Sequence, residues 1–290
     1  MDWILEPFAV GFVQRAFLAG VLVSVVCAIA GTWVVLRGMA FLGDAMSHGL
    51  LPGVALASLA GVDLVVGAVA SAIVMTAGVT ALGRSRRLSQ DTAIGLLFVG
   101  MLATGVIIVS SSASFAVDLT GFLFGDVLAV GPRELWQLVI AALVTLVVGV
   151  GGHRAFVALA FDVRKAHTLG LRPDLAHGLL LVLITIAIVS SFRVVGTLLV
   201  FALLIAPPAA AVLWARRIPV VVVSAVLLGV LANAIGLLVS WHAGTAAGAT
   251  VAATAVALFA LSSLAAAVRS RRRATPTAAS PAEIVENRTP

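Results

Sequence analysis

The chain is poor in charged residues: Asp, Glu, Lys and Arg make up only 10% of its 290 residues, whereas 62% are hydrophobic. An average soluble domain carries about 25% charged residues, so a soluble fold could not bury this much apolar surface. The 27 Gly and 10 Pro follow no collagen repeat, and polar low-complexity sequence is confined to the last ~20 residues. These absences exclude soluble, fibrous and disordered proteins and leave a polytopic membrane protein.

Cysteine and the common catalytic motifs are also lacking. The single cysteine, Cys27, lies within an apolar segment, which excludes a disulfide framework, a CxxC metal motif and a cysteine redox pair. The neighbours of the single lysine, Lys165, do not fit the phosphate loop Gly-xxxx-Gly-Lys-Ser/Thr. The sequence also has no His-Glu-x-x-His, no Gly-x-Ser-x-Gly and no dinucleotide-binding glycine motif. We therefore expect a protein that is not an enzyme.

Nine apolar segments of 19 to 24 residues follow one another along the chain. A helix of that length crosses about 30 Å of hydrocarbon, and only helices and closed barrels satisfy their backbone groups in lipid. The sequence therefore predicts an all-α polytopic membrane protein with about nine transmembrane helices. The predicted segments cover residues 16–36, 39–60, 64–83, 92–110, 134–152, 174–192, 194–214, 218–240 and 245–268.

The basic residues orient these nine segments. If the C-terminus is cytoplasmic, 15 of the 18 Lys and Arg face the cytoplasm, and only Arg15, Arg133 and Arg193 face out. The net charge of +6 thus reflects membrane sidedness, and we expect no nucleic-acid partner. The N-terminus is expected outside, with a transmembrane domain over residues 1–268 and a basic, disordered cytoplasmic tail over 269–290.

The strongest local signal is the stretch 43–53 in the second segment. Asp44 and His48 are four residues apart, so they share one helix face near the middle of the membrane. An ionised Asp in a span costs about 2.5 to 3.5 kcal/mol, and a carboxylate beside an imidazole supplies half of a divalent transition-metal site. Pro52 removes the hydrogen bond to the carbonyl of His48, which frees another oxygen. The alternative is that Asp44 and His48 only join helices by hydrogen bonds.

Other polar or helix-breaking residues are weaker candidates. His242, at the outer end of the eighth segment, is a candidate ligand at the metal entry site. Pro207 and Pro208 free carbonyls four residues earlier and indicate either a plain kink or an opening along a pathway. Asn233 is expected to be an interhelical contact. The remaining histidines are expected near the inner surface, without ligand roles: His153, His167 and His177.

Two connections are longer than turns. The outer one, residues 111–133, contains several Phe and a Gly121-xxx-Gly125 spacing, so we expect it to lie along the protein surface. The inner one, residues 153–173, contains a predicted two-turn helix with Asp162 as its N-cap and Gly170 just past its end. This short helix would form a rigid knob on the cytoplasmic face.

Four stretches together resemble one family: residues 44–53, 91–98, 123–128 and 195–208. They are similar to the permease subunits of bacterial ABC importers for zinc and manganese, which belong to the metal-chelate type. The similarity runs from about residue 16 to 265, and its most specific part is the pattern Asp-Ala-x-Ser-His-x-x-x-Pro-Gly at residues 44–53. The tail lies outside it.

The resemblance implies a multi-pass subunit in the bacterial cytoplasmic membrane, paired with a second permease copy, two separate ATPases and an extracytoplasmic metal-binding protein. It implies that Asp44 and His48 line the metal path and that the inner knob docks into the ATPase. No permanently bound cofactor is implied, and imidazole favours zinc over manganese as the transported ion. The residues expected to couple to the ATPase are Asp162, Ala166, Leu169 and Gly170.

Two other classes of protein remain as alternatives. A secondary, ion-coupled metal transporter would need coupling carboxylates at the midplane, where only Asp44 is placed. An intramembrane hydrolase using Ser47 and His48 is disfavoured because neighbouring residues of a helix point to different faces. Genes for an ATPase and a binding protein beside this one would favour the importer.

Overall fold

The computed structural model describes residues 6–83, 89–111, 125, 127–161 and 173–274. These ranges are helical and contain no strand, so the predicted all-α polytopic fold is confirmed. The α-helices of these described ranges are α1 (Gly11–Leu36), α2 (Ala40–Gly49), α3 (Leu51–Leu59), α4 (Leu64–Gly83), α5 (Gln90–Ser110), α6 (Pro132–Gly151), α7 (His153–Phe161), α8 (Pro173–Val212), α9 (Ile218–Ala243) and α10 (Ala247–Ala274).

Side-chain caps and one glycine set several helix ends. The Ser89 hydroxyl accepts the backbone N–H of Thr92 and starts α5. Glu134, in the first turn of α6, accepts the backbone N–H of Gly131 at 3.2 Å. Helix α9 ends at Gly244, whose left-handed φ of 63° suits glycine. The helix boundaries therefore follow from local chemistry as well as from hydrophobic length.

Seven helices of the described residues are long and apolar enough to cross a membrane, whereas the sequence predicted nine. The predicted segment 39–60 is split at Leu50 into α2 and α3, each too short to cross alone. The predicted segments 174–192 and 194–214 fall in the two halves of α8, which non-helical backbone at Gly196 separates. The count of nine passes and the orientation of the termini stay predictions.

Helix α8 is interrupted at Gly196, whose backbone angles (φ 73°, ψ 164°) are not helical. Its first half runs antiparallel to α4, as two contacts show. The hydroxyls of Thr185 and Thr76 lie 3.3 Å apart, and the guanidinium of Arg193 lies 3.5 Å from the carboxylate of Asp63, just before α4 begins.

The second half of α8 runs the other way. His177, near the start of α8, contacts Arg37 at the end of α1, so the first half is antiparallel to α1. Beyond Gly196, the Cys27 thiol in the middle of α1 contacts the carbonyl of Val200 at 3.9 Å. One turn later in each helix, Leu204 lies against Gly31. The chain therefore reverses its direction near Gly196 and returns along α1.

Helix α1 forms the centre of the bundle and packs against α6, α8 and α9. Trp33 near its end is buried (2% exposed) and packs against the ring of Phe156 in α7, with the ring centroids 5.3 Å apart. Asn233 of α9 is also buried, and its side-chain amide donates to the carbonyl of Phe17 in α1 at 3.2 Å. The expected interhelical role of Asn233 is thereby confirmed.

Candidate metal site on helix α2

Asp44 and His48 lie side by side on α2. The Nε2 atom of His48 is 3.5 Å from Oδ1 of Asp44, and both side chains are half-buried, with 31% of each exposed. That distance exceeds a good hydrogen bond. Neither side chain makes another hydrogen bond to a residue in the part of the chain that the structure describes. The pair therefore shares a face, as predicted, and its polar atoms remain available to a ligand.

Two aromatic rings flank this pair. The ring of Phe98 in α5 contacts the imidazole of His48 edge to face, with centroids 5.9 Å apart, and Phe41 contacts the same Phe98 at 5.9 Å. Such an apolar wall strengthens electrostatic interactions beside it. The position of these two rings was not predicted from the sequence, because they come together only through the packing of α2 on α5.

Ser47 is turned away from His48. Its buried hydroxyl donates to the carbonyl of Gly43 at 2.9 Å within α2. Gly43 in turn packs on α8, where Leu204 and Phe201 are its nearest neighbours. Ser47 therefore has a packing role, and its hydroxyl is not placed to act as a nucleophile activated by His48.

The helix break at Leu50 follows the candidate site directly. Pro52 cannot donate to the carbonyl of His48, and the backbone N–H of Leu50 makes only a short-range i,i−2 contact with that carbonyl at the helix end. The freed oxygen beside the imidazole therefore stays a prediction. The freed N–H of Gly53 donates to the hydroxyl of Ser71 in α4 at 2.8 Å, so α4 holds the break in place.

Pro207 and Pro208 lie within the second half of α8. As predicted, Pro208 cannot donate to the carbonyl of Leu204. That oxygen faces Gly31 of α1, where a β-carbon would collide with it, and Cγ of Pro208 is 3.1 Å from the same position. The freed carbonyl therefore lies in a close contact between α8 and α1.

The separation of the two donor atoms suits chelation of one ion. Donors that each lie about 2.1 Å from a common metal are about 3.0 to 3.4 Å apart in octahedral or tetrahedral geometry, close to the 3.5 Å found between Asp44 and His48. No group of three or more His, Cys, Asp or Glu that could hold a metal occurs among the described residues. The described part of one chain thus offers two candidate ligands at this position, Asp44 and His48.

The structure does not bring His242 to this pair. His242 lies at the exposed end of α9, with Nδ1 2.9 Å from the carbonyl of Leu238. Its neighbour Trp241 contacts Phe12 at the start of α1, with ring centroids 6.1 Å apart. His242 therefore belongs to the other end of α1 from Arg37 and is separate from the Asp44 and His48 site.

An apolar groove lies on another side of α8. It has a volume of about 710 Å³ and lies between the second half of α8 and α10. Phe201 lines this groove and also lies 3.9 Å from the position of a β-carbon on Gly43, which is buried. The groove therefore reaches the buried side of α2, whereas His48 faces Phe98 of α5.

A half-buried arginine, Arg37, follows the end of α1. The Arg37 guanidinium can only donate, so Nδ1 of His177, 3.0 Å away, accepts its hydrogen bond. Burial lowers the pKa of Arg37 from its usual range.

The four residues predicted to couple to the ATPase lie outside the described residues: Asp162, Ala166, Leu169 and Gly170.

Comparison with known proteins identifies a matching family and several relatives. Residues 9–266 match the ABC 3 transport family. The chain is 38% identical to the chelated iron transport system membrane protein YfeD of Yersinia pestis, over 84% of this chain and 82% of that protein. It is 34% identical to the manganese transport system membrane protein MntC of Halalkalibacterium halodurans, over 86% of both.

A solved structure is similar as well. The chain is 31% identical to PsaBC from Streptococcus pneumoniae, solved in complex with Fab. The similarity covers 90% of this chain and 94% of that chain, with a TM-score of 0.80. Both the sequence and the fold of this chain are therefore similar to that structure along nearly the whole chain.

Proposed function

The chain belongs to the ABC 3 transport family, and from this premise we propose that it is the membrane subunit through which an ATP-driven importer passes a divalent transition metal. The resemblance noted from the sequence is thus confirmed at the level of the family. The chain is a transporter subunit of the bacterial cytoplasmic membrane and not an enzyme. The metal and the partners of this chain are the proposed part.

The observation that carries the proposal is the Asp44 and His48 pair. A carboxylate and an imidazole 3.5 Å apart, half-exposed on one face of α2, can bind the same cation. The carboxylate offsets part of the charge of a dication. The imidazole supplies a nitrogen donor, which transition metals bind more readily than Mg²⁺ or Ca²⁺ do. We propose this pair as the binding step on the metal path.

The identity of the metal is drawn from the donor set and the relatives together. An imidazole nitrogen suits zinc, but one carboxylate with one imidazole also suits manganese and ferrous iron. The named relatives carry manganese or chelated iron. We therefore place manganese and ferrous iron ahead of zinc, which the sequence alone had favoured.

The partners follow from what one chain lacks. It has no phosphate loop, so a separate ATPase on the cytoplasmic face must hydrolyse ATP, with the segment from Asp162 to Gly170 as its docking helix. An extracytoplasmic protein would deliver the metal. A second copy of the permease would add a second Asp44 and His48 pair and raise the protein ligands from two to four.

The helix breaks have proposed roles in this path. Pro52 ends α2 beside His48, so movement of α3 relative to α2 would change access to the pair. Pro207 and Pro208 cannot donate to the carbonyls four residues earlier, one of which, that of Leu204, packs against Gly31 of α1. We propose all three prolines as points where the path opens and closes.

Metal uptake in a deletion strain tests this function. Cells that carry the permease, its ATPase and its binding protein should accumulate labelled manganese or iron more than zinc at equal free concentration. A substitution in the phosphate loop of the ATPase should abolish that uptake. Uptake that persists without ATP hydrolysis would overturn the importer and favour a secondary, ion-coupled metal transporter.

A further inference from the structure

A second cavity lies away from the metal site. It has a volume of about 340 Å³ and opens between α4, α6 and the first half of α8. Its inner walls include Val65, Val69 and Val189, and its rim carries Glu134 and Arg193. Because these rim residues lie at helix ends opposite the Arg37 end of the bundle, the cavity, called here the lateral cleft, sits at a membrane boundary.

Arg193 keeps hydrogen-bonding capacity at this rim. Among the described acids it pairs with Asp63, at 3.5 Å, and both side chains are partly exposed (36% and 44%). Oδ1 of Asp63 already accepts the backbone N–H of Val65 at 2.8 Å as the cap of α4. A guanidinium has five N–H donors, so this long ion pair with a described residue leaves several of them for a phosphate group.

Glu134 offers the opposite charge on the same rim. Its Oε2 accepts the Gly131 backbone N–H at 3.2 Å, which leaves acceptor sites on the carboxylate because each carboxylate has about four. Trp136, two residues further on α6, is 69% exposed. An exposed Trp is typical of the level of the lipid headgroups, which places Glu134 and Arg193 at that level too.

We propose that the lateral cleft binds a phospholipid whose headgroup joins a phosphate to a primary amine. Arg193 holds the phosphate, Glu134 holds the ammonium group, and the valine walls take the upper part of an acyl chain. A cation and a carboxylate on one rim match a zwitterionic headgroup better than an anionic one. Binding needs neither the ATPase nor a metal, so it is independent of the proposed transport function.

Lipid binding to the purified full-length chain tests this proposal. The protein, together with any subunits that co-purify, is delipidated in detergent and titrated with phosphatidylethanolamine, phosphatidylcholine or phosphatidylglycerol. Native mass spectrometry and thermal unfolding measure the binding of each lipid. We expect phosphatidylethanolamine to bind about tenfold more tightly than phosphatidylcholine, whose quaternary amine has no N–H to donate. Equal affinity for the two lipids would overturn the proposal.

Matched variants separate the roles of the rim residues. Glu134→Gln keeps an oxygen that caps α6 and should abolish the preference for phosphatidylethanolamine. Arg193→Gln should weaken the binding of every phospholipid, whereas Asp63→Asn breaks the same ion pair, still caps α4 and should retain binding. Arg133→Gln, an exposed neighbour that does not line the cleft, is the charge control. Unchanged preference in Glu134→Gln would contradict the proposal.

Discussion

The carbonyl oxygen of Leu204 in α8 occupies the place where a β-carbon of residue 31 in α1 would stand, so only glycine fits at Gly31. Pro208 leaves this oxygen without its usual helical donor. The two helices therefore approach backbone to backbone, in the way that small residues permit inside a membrane. A Cα–H of Gly31 facing the oxygen offers a weak hydrogen bond in place of the lost one.

We expect Gly31→Ala to destabilise the protein. The added methyl group would push α8 away from α1, and overpacking of this kind costs about 1 to 3 kcal/mol. Gly100→Ala in α5, where nothing lies within 4 Å of a β-carbon, is the matched control and should be neutral or stabilising by up to about 1 kcal/mol. Thermal unfolding in one detergent checks both, and equal melting temperatures would contradict the close contact.

The reversal of α8 gives a second prediction. Gly196 has a φ of 73° and a ψ of 164°, a region that is essentially restricted to glycine. The backbone of Gly125, from the outer connection, packs directly on it. Gly196→Ala should therefore cost about 1 to 3 kcal/mol in strain and lower the amount of folded protein in the membrane.

A matched control for that prediction lies in the same helix. Gly178 in the first half of α8 has nothing within 4 Å of a β-carbon, so Gly178→Ala should leave the folded fraction unchanged or higher. Membrane levels and size-exclusion profiles compare the two variants. A Gly196→Ala protein that behaves like Gly178→Ala would show that the backbone at residue 196 is not constrained.

Local features of this fold could be predicted from sequence, because hydrophobic length and i,i+4 spacing act within one segment. The shared face of Asp44 and His48 follows from helical geometry alone. The bond that the carbonyl of His48 loses is equally local, because Pro52 has no N–H to donate.

Contacts between distant segments could not be predicted in the same way. The signal for the reversal in α8 is one glycine, Gly196, in an otherwise apolar run, and many glycines in the chain have no such role. The pairing of Gly31 with Leu204 depends on which helices become neighbours, and hydrophobic periodicity does not specify neighbours in lipid because every face is apolar. The aromatic wall at Phe98 was missed for the same reason.

The predicted topology can be tested by cysteine labelling. In a Cys27→Ala background, single cysteines at the exposed positions Ser111 and Ser270 should react from opposite sides, because they lie at the outer and inner ends of predicted spans. A cysteine at Ser89 should react from the same side as one at Ser270. Labelling of Ser111 and Ser270 from one side would refute the predicted orientation.

The proposed coupling helix gives a prediction that rests on the sequence pattern. Gly170 follows the predicted helix in a position that favours a left-handed residue. Gly170→Val should misplace the helix end, weaken binding of the ATPase and abolish uptake, while the subunit still inserts. Gly170→Asn is the matched control, since asparagine tolerates this conformation, and should retain most activity. Normal uptake in Gly170→Val would refute the coupling role.

The metal path can be distinguished from a structural contact through two conservative variants. Asp44→Asn and His48→Gln keep similar size and hydrogen-bonding capacity, so a purely structural pair should lose only about 1 kcal/mol of stability. Metal passage should fail in both, because Asn lacks the charge that offsets a dication and Gln lacks the imidazole nitrogen. We expect uptake to fall to near background while membrane levels and ATPase binding stay normal.

Ser47 supplies the internal control for that experiment. It lies between Asp44 and His48 in sequence, but its hydroxyl donates to Gly43 and faces the core. Ser47→Ala removes one hydrogen bond of about 1 kcal/mol and should leave metal selectivity unchanged at slightly lower stability. If Asp44→Asn and His48→Gln instead retain uptake within about twofold of wild type, as Ser47→Ala is expected to do, the pair is structural. The metal must then pass elsewhere, with His242 and the backbone before Pro207 as the next places to test.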